Sequence, residues 1–556
     1  MHTLSRIGLL ACLVPFAATA AGTEAAAAGG ASGEALMRHV QALGSDEFEG
    51  RAPATAGEEK TVAYLVEELR KAGVQPGGED GGWTQAVPLL RASVDGPVQA
   101  TLRVGRQARA LANGEDVTLQ TLSPVDRVDV RDAPLVFVGY GISAPERDWD
   151  DYKGVDLAGK VAVVLVNDPD FETEQPGAFD GRAVTYHGRW TYKYEELARR
   201  GALGALIVHE TAPAAYGWET VRASGLSPLF DIPRADAARH HTLLRGWIHR
   251  DTAVSLFAAA GLDFEREKAR AQTAAFAPVA LGDATLSAAF DVVRDEVVTR
   301  NVVGRLEGAS RPGETVIVSA HWDAYGIGEP DASGDRIRRG AVDNATGVAA
   351  VLELARVFAA GPRPARSLLF IALAAEEKGL QGATYYAANP LTPLETTAAV
   401  LNIEMLSPDG PTHDIATWGN GRVSLEDDLG RIAQAHGRRR SPDPNLESGF
   451  FYRADHFAFA RAGVPVITIG AGLDMVEGGV ERGTALREAY FAECYHRPCD
   501  AWSPDWDPSG QVRDVELLYA LARELADGDH WPHWHEGSEF KALRDASNAR
   551  RTPATR

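Results

Sequence analysis

From about residue 300 the chain alternates apolar β-like runs with stretches of helical spacing, and this alternation limits the fold more than any other feature. Residues 316–320 form an apolar strand-like run. Residues 345–360 then place Val348, Val351, Leu352, Ala355 and Phe358 on one helix face. Residues 368–373, 399–403 and 464–469 follow as strands, and 512–526 as a closing helix. Parallel strands need crossovers of helix length, not tight turns. The pattern therefore predicts an α/β fold, a mostly parallel mixed sheet flanked by helices. Residues 58–71 add an amphipathic helix, with Val62, Leu65, Val66 and Leu69 on one face and Gly73 as its stop.

With 556 residues the chain is too long for one ordinary domain. Between 96 and 285 short β-like runs recur at 135–140 and 161–166, and a helical stretch at 194–200 leads into 205–208. That region reads as a separate, mainly β domain inserted between 34–95 and 286–535, which together make the main domain. Residues 21–33 are Ala/Gly-rich and read as a flexible N-terminus, and 536–556 as a polar, frayed tail. His2 and Arg6, the apolar stretch 7–16 and the small residues Ala18 and Ala20 resemble an export signal over 1–20. Cys12 lies too early in that stretch for a lipoprotein anchor, so a periplasmic or extracellular location is expected. No other run reaches the roughly 20 apolar residues that span a bilayer. The net charge of −21 argues against nucleic acid or an anionic membrane surface as partner.

Imidazole nitrogen and carboxylate oxygen are zinc donors, and two metals sharing one carboxylate need roughly five protein ligands. His321 directly follows the 316–320 strand, Glu376 and Glu377 follow 368–373, and Glu404 follows 399–403. Asp343 precedes the 345–360 helix, and His496 lies in YHRPCD. Alone, each acid would be a solvated loop charge, and Asp343 or Asp455 a helix cap. Together they fall where open α/β sheets bind ligands, at the carboxyl ends of strands. Adjacent glutamates on a strand would face opposite ways, so Glu376 and Glu377 must share a turn.

The segments AHWDAYGIG, GAVDNATGVA, LAAEEKGLQG, LNIEML, YRADHFAFARAGVPV and YHRPCD, in this order over roughly 300–530, resemble the co-catalytic two-zinc exopeptidases. That family includes secreted bacterial leucyl aminopeptidases, glutamate carboxypeptidase and glutaminyl cyclase. Residues 133–210, with GYGISAPERDWDDYKGVDLAGKVAVVL and KYEELARRGALGALIVHE, resemble the protease-associated domain inserted in such enzymes. The resemblance implies the zinc exopeptidase fold and two zinc ions bridged by Asp343. His321 and Glu404 would complete one site, Glu377 and His496 the other. Glu376 would be the general base toward the bridging water, Tyr495 would stabilise the oxyanion, and Asp323 would accept the free N–H of His321. Arg453, Asp455 and His456 would line the substrate pocket. The family usually has Asp where this chain has Glu404, which moves the ligand oxygen by up to about 1.5 Å, one C–C bond. Cys494 and Cys499 are expected to be bridged in an oxidising compartment.

Three activities compete. An aminopeptidase acting on peptides is favoured. A carboxypeptidase would need a cationic pocket, and Arg453 is the only basic residue the sequence brings near the site. A cyclotransferase works with one zinc, and an inactive receptor-like module would not keep all five ligands and Glu376.

Overall fold

The structure is a computed structural model that describes residues 30–173, 177–419 and 421–551. The export signal, Cys12 and residues 21–29 lie outside the described residues. Two helices open the described chain. In α1 (Gly33–Leu43) the Ser32 hydroxyl accepts from the Ala35 amide, and α2 (Ala56–Ala72) ends at Gly73, whose φ of 88° favours glycine. β1 (Thr84–Val104) runs out into the insert, where β2 (Val117–Gln120), β3 (Arg127–Phe137), β4 (Val161–Leu165), α3 (Trp190–Arg199), β5 (Gly204–His209) and β6 (Leu244–His249) follow. The 28-residue β7 (Val279–Leu306) returns antiparallel to β1. The rest comprises β8 (Arg311–His321), α4 (Thr346–Ala360), β9 (Arg366–Leu373), β10 (Thr397–Ile403), β11 (Asp414–Thr417), β12 (Arg439–Ser441), α5 (His456–Arg461), β13 (Val466–Ala471), α6 (Gly479–Glu493), α7 (Ser509–Asp527) and α8 (Lys541–Asn548).

One sheet runs through the molecule in the order β12-β11-β13-β10-β8-β9-β7-β3-β4-β5-β6-β2. β9, β8, β10 and β13 are mutually parallel, and every residue of β9 and β10 is buried, as strands covered on both faces must be. Helices α1, α2 and α7 pack around α4, which is apolar almost all round and accordingly buried. β3 to β6 form a second parallel set, joined to the first in the sheet through β7, which is antiparallel to both β9 and β3.

The insert carries its own cores on the two faces of β3–β6, distinct from the core of the main body. Because its central strands are parallel they require helical crossovers, so it is α/β where isolated apolar runs suggested mainly β. The β1–β7 ribbon crosses the expected boundaries without a break, its outer half packing into the insert core. The tail also differs from expectation. Residues 541–548 are helical, and the buried Arg544 donates to the carbonyls of Leu394 (3.2 Å) and Thr397 (2.8 Å). A basic residue is buried there because it satisfies carbonyls at the start of β10. Among the described residues no helix is long and apolar enough to cross a membrane.

Candidate metal centre

His321 is the last residue of β8, and Glu404 directly follows β10, its neighbour in the sheet. The pairing brings His321 Nε2 to 2.8 Å from Glu404 Oε1. Asp343 lies in the non-helical turn before α4, and neither Asp343 nor Asp455 caps a helix with its side chain. The Asp343 carboxylate instead reaches His321 Nε2 at 3.1 Å and His496 Nε2 at 3.3 Å. Gly340, at φ 59°, makes that turn, since a Cβ there would sit 2.3 Å from the Asp343 carbonyl. Glu376 and Glu377 share the turn after β9, entered through Ala375 at φ 55°. His496 also has a positive φ, 61°, in the loop after α6.

Two donor groups result, His321–Asp343–Glu404 and Asp343–Glu377–His496, and in each the donor atoms lie within 4.8 Å of one another. Glu377 Oε2 is 3.5 Å from His496 Nε2, yet Glu377 Oε1 and His496 Nε2 are buried without a hydrogen-bond partner. Unpaired donors converging on a shared carboxylate fit a pair of divalent metal ions. The longer Glu404 side chain is accommodated, with Asn402 and Asn344 donating to its two oxygens at 3.1 and 3.2 Å. A third group, Asp428–Glu524–His530, is already occupied by Arg431, which pairs with both acids.

Burial raises the proton affinity of Glu376 well above the usual carboxylate range, with Glu377, Glu404 and Asp455 adding to it against the opposing charge of His321. Glu377 is pushed up to about 7 by burial, against His496. Asp343 goes the other way: burial opposes it, but the neighbouring imidazoles of His321 and His496 hold it well below the usual range. So many sequestered acids around two imidazoles make the site a cation trap.

Asp323 meets His321 Nδ1 through its backbone, with its carboxylate 3.7 Å from the same nitrogen. His321 Nδ1 donates to the Asp323 backbone carbonyl (3.0 Å), and the Asp323 carboxylate accepts from the amides of Glu376 (2.9 Å) and Glu377 (3.3 Å). The carboxylate is spent on the glutamate turn because that turn exposes two free amides beside it. His456 packs against Phe451. It is fully buried, its ring packs 4.9 Å from Phe451 with neither nitrogen satisfied by a side chain, and burial drives it down to about 3. It belongs to the core because it starts α5 on the face turned to Phe451. Its neighbour Asp455 does turn to the cluster, with both oxygens buried and unpartnered. Tyr495 lies against His496 with ring centroids 3.6 Å apart and within electrostatic reach of Glu376 and Glu377. Cys494 and Cys499 form a disulfide around this Tyr-His pair.

Four participants were not anticipated. Asp500 accepts from the amides of Val342 (2.8 Å) and Asp343 (3.1 Å) and from the Tyr490 hydroxyl (3.1 Å). The buried Arg51 donates to the carbonyls of Trp322, Arg339 and Gly340, tying β8 to the Asp343 turn. The Tyr325 ring lies 4.3 Å from that of His496. Arg189, from the insert, lies within electrostatic reach of Arg453. Asp500 and Tyr325 sit inside motifs quoted above, whereas Arg51 and Arg189 carry no local signal.

Fold and site together define an α/β protein with two candidate metal-binding groups that share Asp343 near the strand ends. Residues 301–520 match the model of Peptidase family M28. A probable zinc metalloprotease of Pyrenophora teres f. teres (strain 0-1) is 36% identical over 131 residues, 22% of this chain and 28% of that protein. Aminopeptidase NAALADL1 of Mus musculus is 35% identical over 111 residues, 19% of this chain and 13% of that protein. The chain thus spans under a third of the curated relatives it matches. The fold is shared with the aminopeptidase from Aneurinibacillus sp. strain AM-1, at 18% identity over 90% of this chain and 95% of that one, TM-score 0.51.

Proposed function

We propose that the chain is a zinc-dependent exopeptidase that uses two metals to release residues from the amino end of peptides. The observation that carries this reading is the division of labour in the acid cluster. Asp343 belongs to both donor groups, and Glu376 belongs to neither. His321 and Glu404 would hold one ion, Glu377 and His496 the other, and Asp343 both. Zinc, when bound, supplies the positive charge that polarises the scissile carbonyl and makes water a nucleophile near neutral pH. Glu376 takes the proton from the attacking water and returns it to the leaving amine. Asp323 keeps Glu376 and Glu377 in register by holding both amides. The Tyr495 hydroxyl donates to the developing oxyanion. Asp455, buried and unpaired, suits a substrate ammonium.

Residues 96–285 are read as a protease-associated insert flanking the cleft, which fits their separate core. The Cys494–Cys499 bridge and the signal-like first twenty residues support an exported enzyme. The test is a peptide panel with free and blocked termini, read by mass spectrometry. A strong chelator should abolish cleavage and zinc restore it, and acetylating the substrate's N-terminus should block it. Cleavage that survives N-acetylation and is blocked by C-terminal amidation would make the enzyme a carboxypeptidase. Full activity in the metal-stripped protein would end the metal reading.

A further inference from the structure

The helix that leads into His496 is held to the body by a thinner contact than the helices around it. In α6, Gly483 alone is buried, packed so closely on the Leu473 carbonyl that a Cβ would clash. Leu486, Arg487, Tyr490 and Phe491 are half-buried along the same side, and one turn before Gly483 the side chain of Val480 is already exposed. By contrast, α4 and α7 each bury a broad apolar face. A helix of this length draws its stability from packing, so a contact this thin leaves α6 open to local unfolding and undocking. Gly478 and Gly479 precede it, at φ 90° and 60°, and two consecutive glycines in the left-handed region make a hinge. The ties lie at the other end. The Tyr490 hydroxyl donates to Asp500 (3.1 Å), which also accepts from the Asp343 amide. The Phe491 ring meets those of Phe450 (5.5 Å) and Tyr495 (4.9 Å). Three residues past the helix, the His496 ring is sandwiched between Tyr325 (4.3 Å) and Tyr495 (3.6 Å). Its Nε2 is buried without a hydrogen-bond partner, with Asp343 and Glu377 oxygens at 3.3 and 3.5 Å.

We propose that α6 is a hinged strap beside the metal centre, and that ligation of a metal ion through His496 latches it. With Asp343, Glu377 and His496 holding an ion, the short tether from Glu493 to His496 keeps Tyr490 on Asp500 and Phe491 on Phe450. The Cys494–Cys499 bridge closes the segment around His496, so a constraint on that ring is passed to α6 rather than absorbed by the loop. With the group empty, no bond of its own fixes the His496 ring, and α6 turns about Gly478 and Gly479 to open this side of the cleft. An ion that binds only the docked form stabilises it by the ratio of its concentration to its dissociation constant. Filling of the Glu377–His496 half therefore regulates the site, and a protein with only the His321–Asp343–Glu404 group filled carries an unlatched strap. This inference rests on the metal assignment of the reading above.

The test uses the full-length protein, either stripped by a chelator or held in zinc buffered well above its dissociation constant, and reads backbone hydrogen exchange by mass spectrometry. Zinc should slow exchange across residues 479–493 by about 10- to 100-fold, the shift that linkage gives at a comparable excess of ion. Residues 509–527 of α7, which carry no ligand, should hardly change. Trypsin should cut after Arg482 and Arg487 correspondingly faster in the stripped protein. His496→Ala should leave α6 exchanging in zinc as fast as in the stripped protein, with one metal still bound. Tyr490→Phe leaves every ligand in place, so it should keep both metals while α6 exchange in zinc rises about tenfold, the worth of a hydrogen bond to a charged group. Melting curves identify a His496→Ala that does not fold, and Tyr490→Phe then carries the comparison. Equal exchange of 479–493 with and without zinc overturns the strap. So does a zinc effect of the same size on α6 and α7, which would be stabilisation of the whole fold. Zinc protection of α6 in a protein that cleaves no peptide upholds the strap and ends the exopeptidase reading. Cleavage by a protein whose α6 is indifferent to zinc does the reverse, and a protein that binds no zinc ends both.

Discussion

The two halves of the candidate metal centre share Asp343 but are built from different kinds of structure. His321 and Glu404 end neighbouring parallel strands, and their side chains are 1% and 4% exposed. Glu377 lies in a turn. His496 hangs from a loop after α6, whose only buried residue is Gly483, and its side chain is 27% exposed. Strand spacing of about 4.8 Å fixes the first pair almost by itself. The second pair depends on local devices: the Asp323 carboxylate under the glutamate turn, the Tyr325 and Tyr495 rings beside His496, and the disulfide. A site anchored in a sheet should bind metal more tightly than one anchored in loops, because less ordering entropy is lost on binding.

The strongest challenge to this picture is to remove what the halves share. Asp343→Asn keeps the shape and takes away the bridging charge, so both metals should leave and activity should vanish. Metal analysis checks it. Retention of one tightly held ion would mean that Asp343 serves one half alone.

Next in size is the contrast between the paired glutamates. Glu376→Gln should keep both metals while turnover falls by about 10²–10⁴-fold, the usual contribution of general acid–base catalysis. Glu377→Gln should lose the metal of the loop-built half and some thermal stability while the strand-built half stays filled. Metal loss from Glu376→Gln with both ions kept in Glu377→Gln would reverse the roles.

A smaller effect is expected at Asp500, which joins the halves by holding the backbone of the bridging residue. Asp500→Asn keeps one acceptor oxygen for two amides, so metal affinity should fall about 10- to 100-fold, as loss of a supporting hydrogen bond does. Both halves should weaken together, which a competition titration with a chromophoric chelator would read. Weakening of one half alone would place Asp500 on that side.

The same contrast explains what the sequence could reveal. Strand-end position made His321, Glu376, Glu377 and Glu404 legible, because apolar runs mark strands and a parallel sheet binds ligands at their carboxyl ends. The β/α alternation was legible for the same reason. Partners that act through the backbone were not. Asp323 holds amides that exist only once the β9 turn has formed, and Arg51 satisfies carbonyls of segments some 270 residues away in the chain. Arg189 stands before α3 of the insert, far in sequence from Arg453. His456 was expected in the pocket by family resemblance, and in the structure it is fully buried beside Phe451. The helix at 541–548 was hidden by its basic composition.

The finest test touches the loop-built half alone. Cys494 and Cys499 flank Tyr495 and His496 and close a very short loop, so their bridge removes little entropy from the unfolded chain and should add little to global stability. Its effect should be local, restricting the approach of His496 to Asp343 and Glu377. Under a mild reductant, or in the Cys494→Ser/Cys499→Ser double variant, the melting temperature should change little. The metal of the Glu377–His496 half should bind about tenfold more weakly, the low end of what supporting contacts contribute. The metal held by His321 and Glu404 should be unaffected, because those residues are set by the strands β8 and β10 rather than by the loop the bridge closes. Stepwise removal by a chelator, with metal counted at each step, separates the two. An equal loss from both halves would show the loop to be part of a common scaffold, and no loss from either would show that the aromatic stack of Tyr325, Tyr495 and His496 holds the ring without the disulfide.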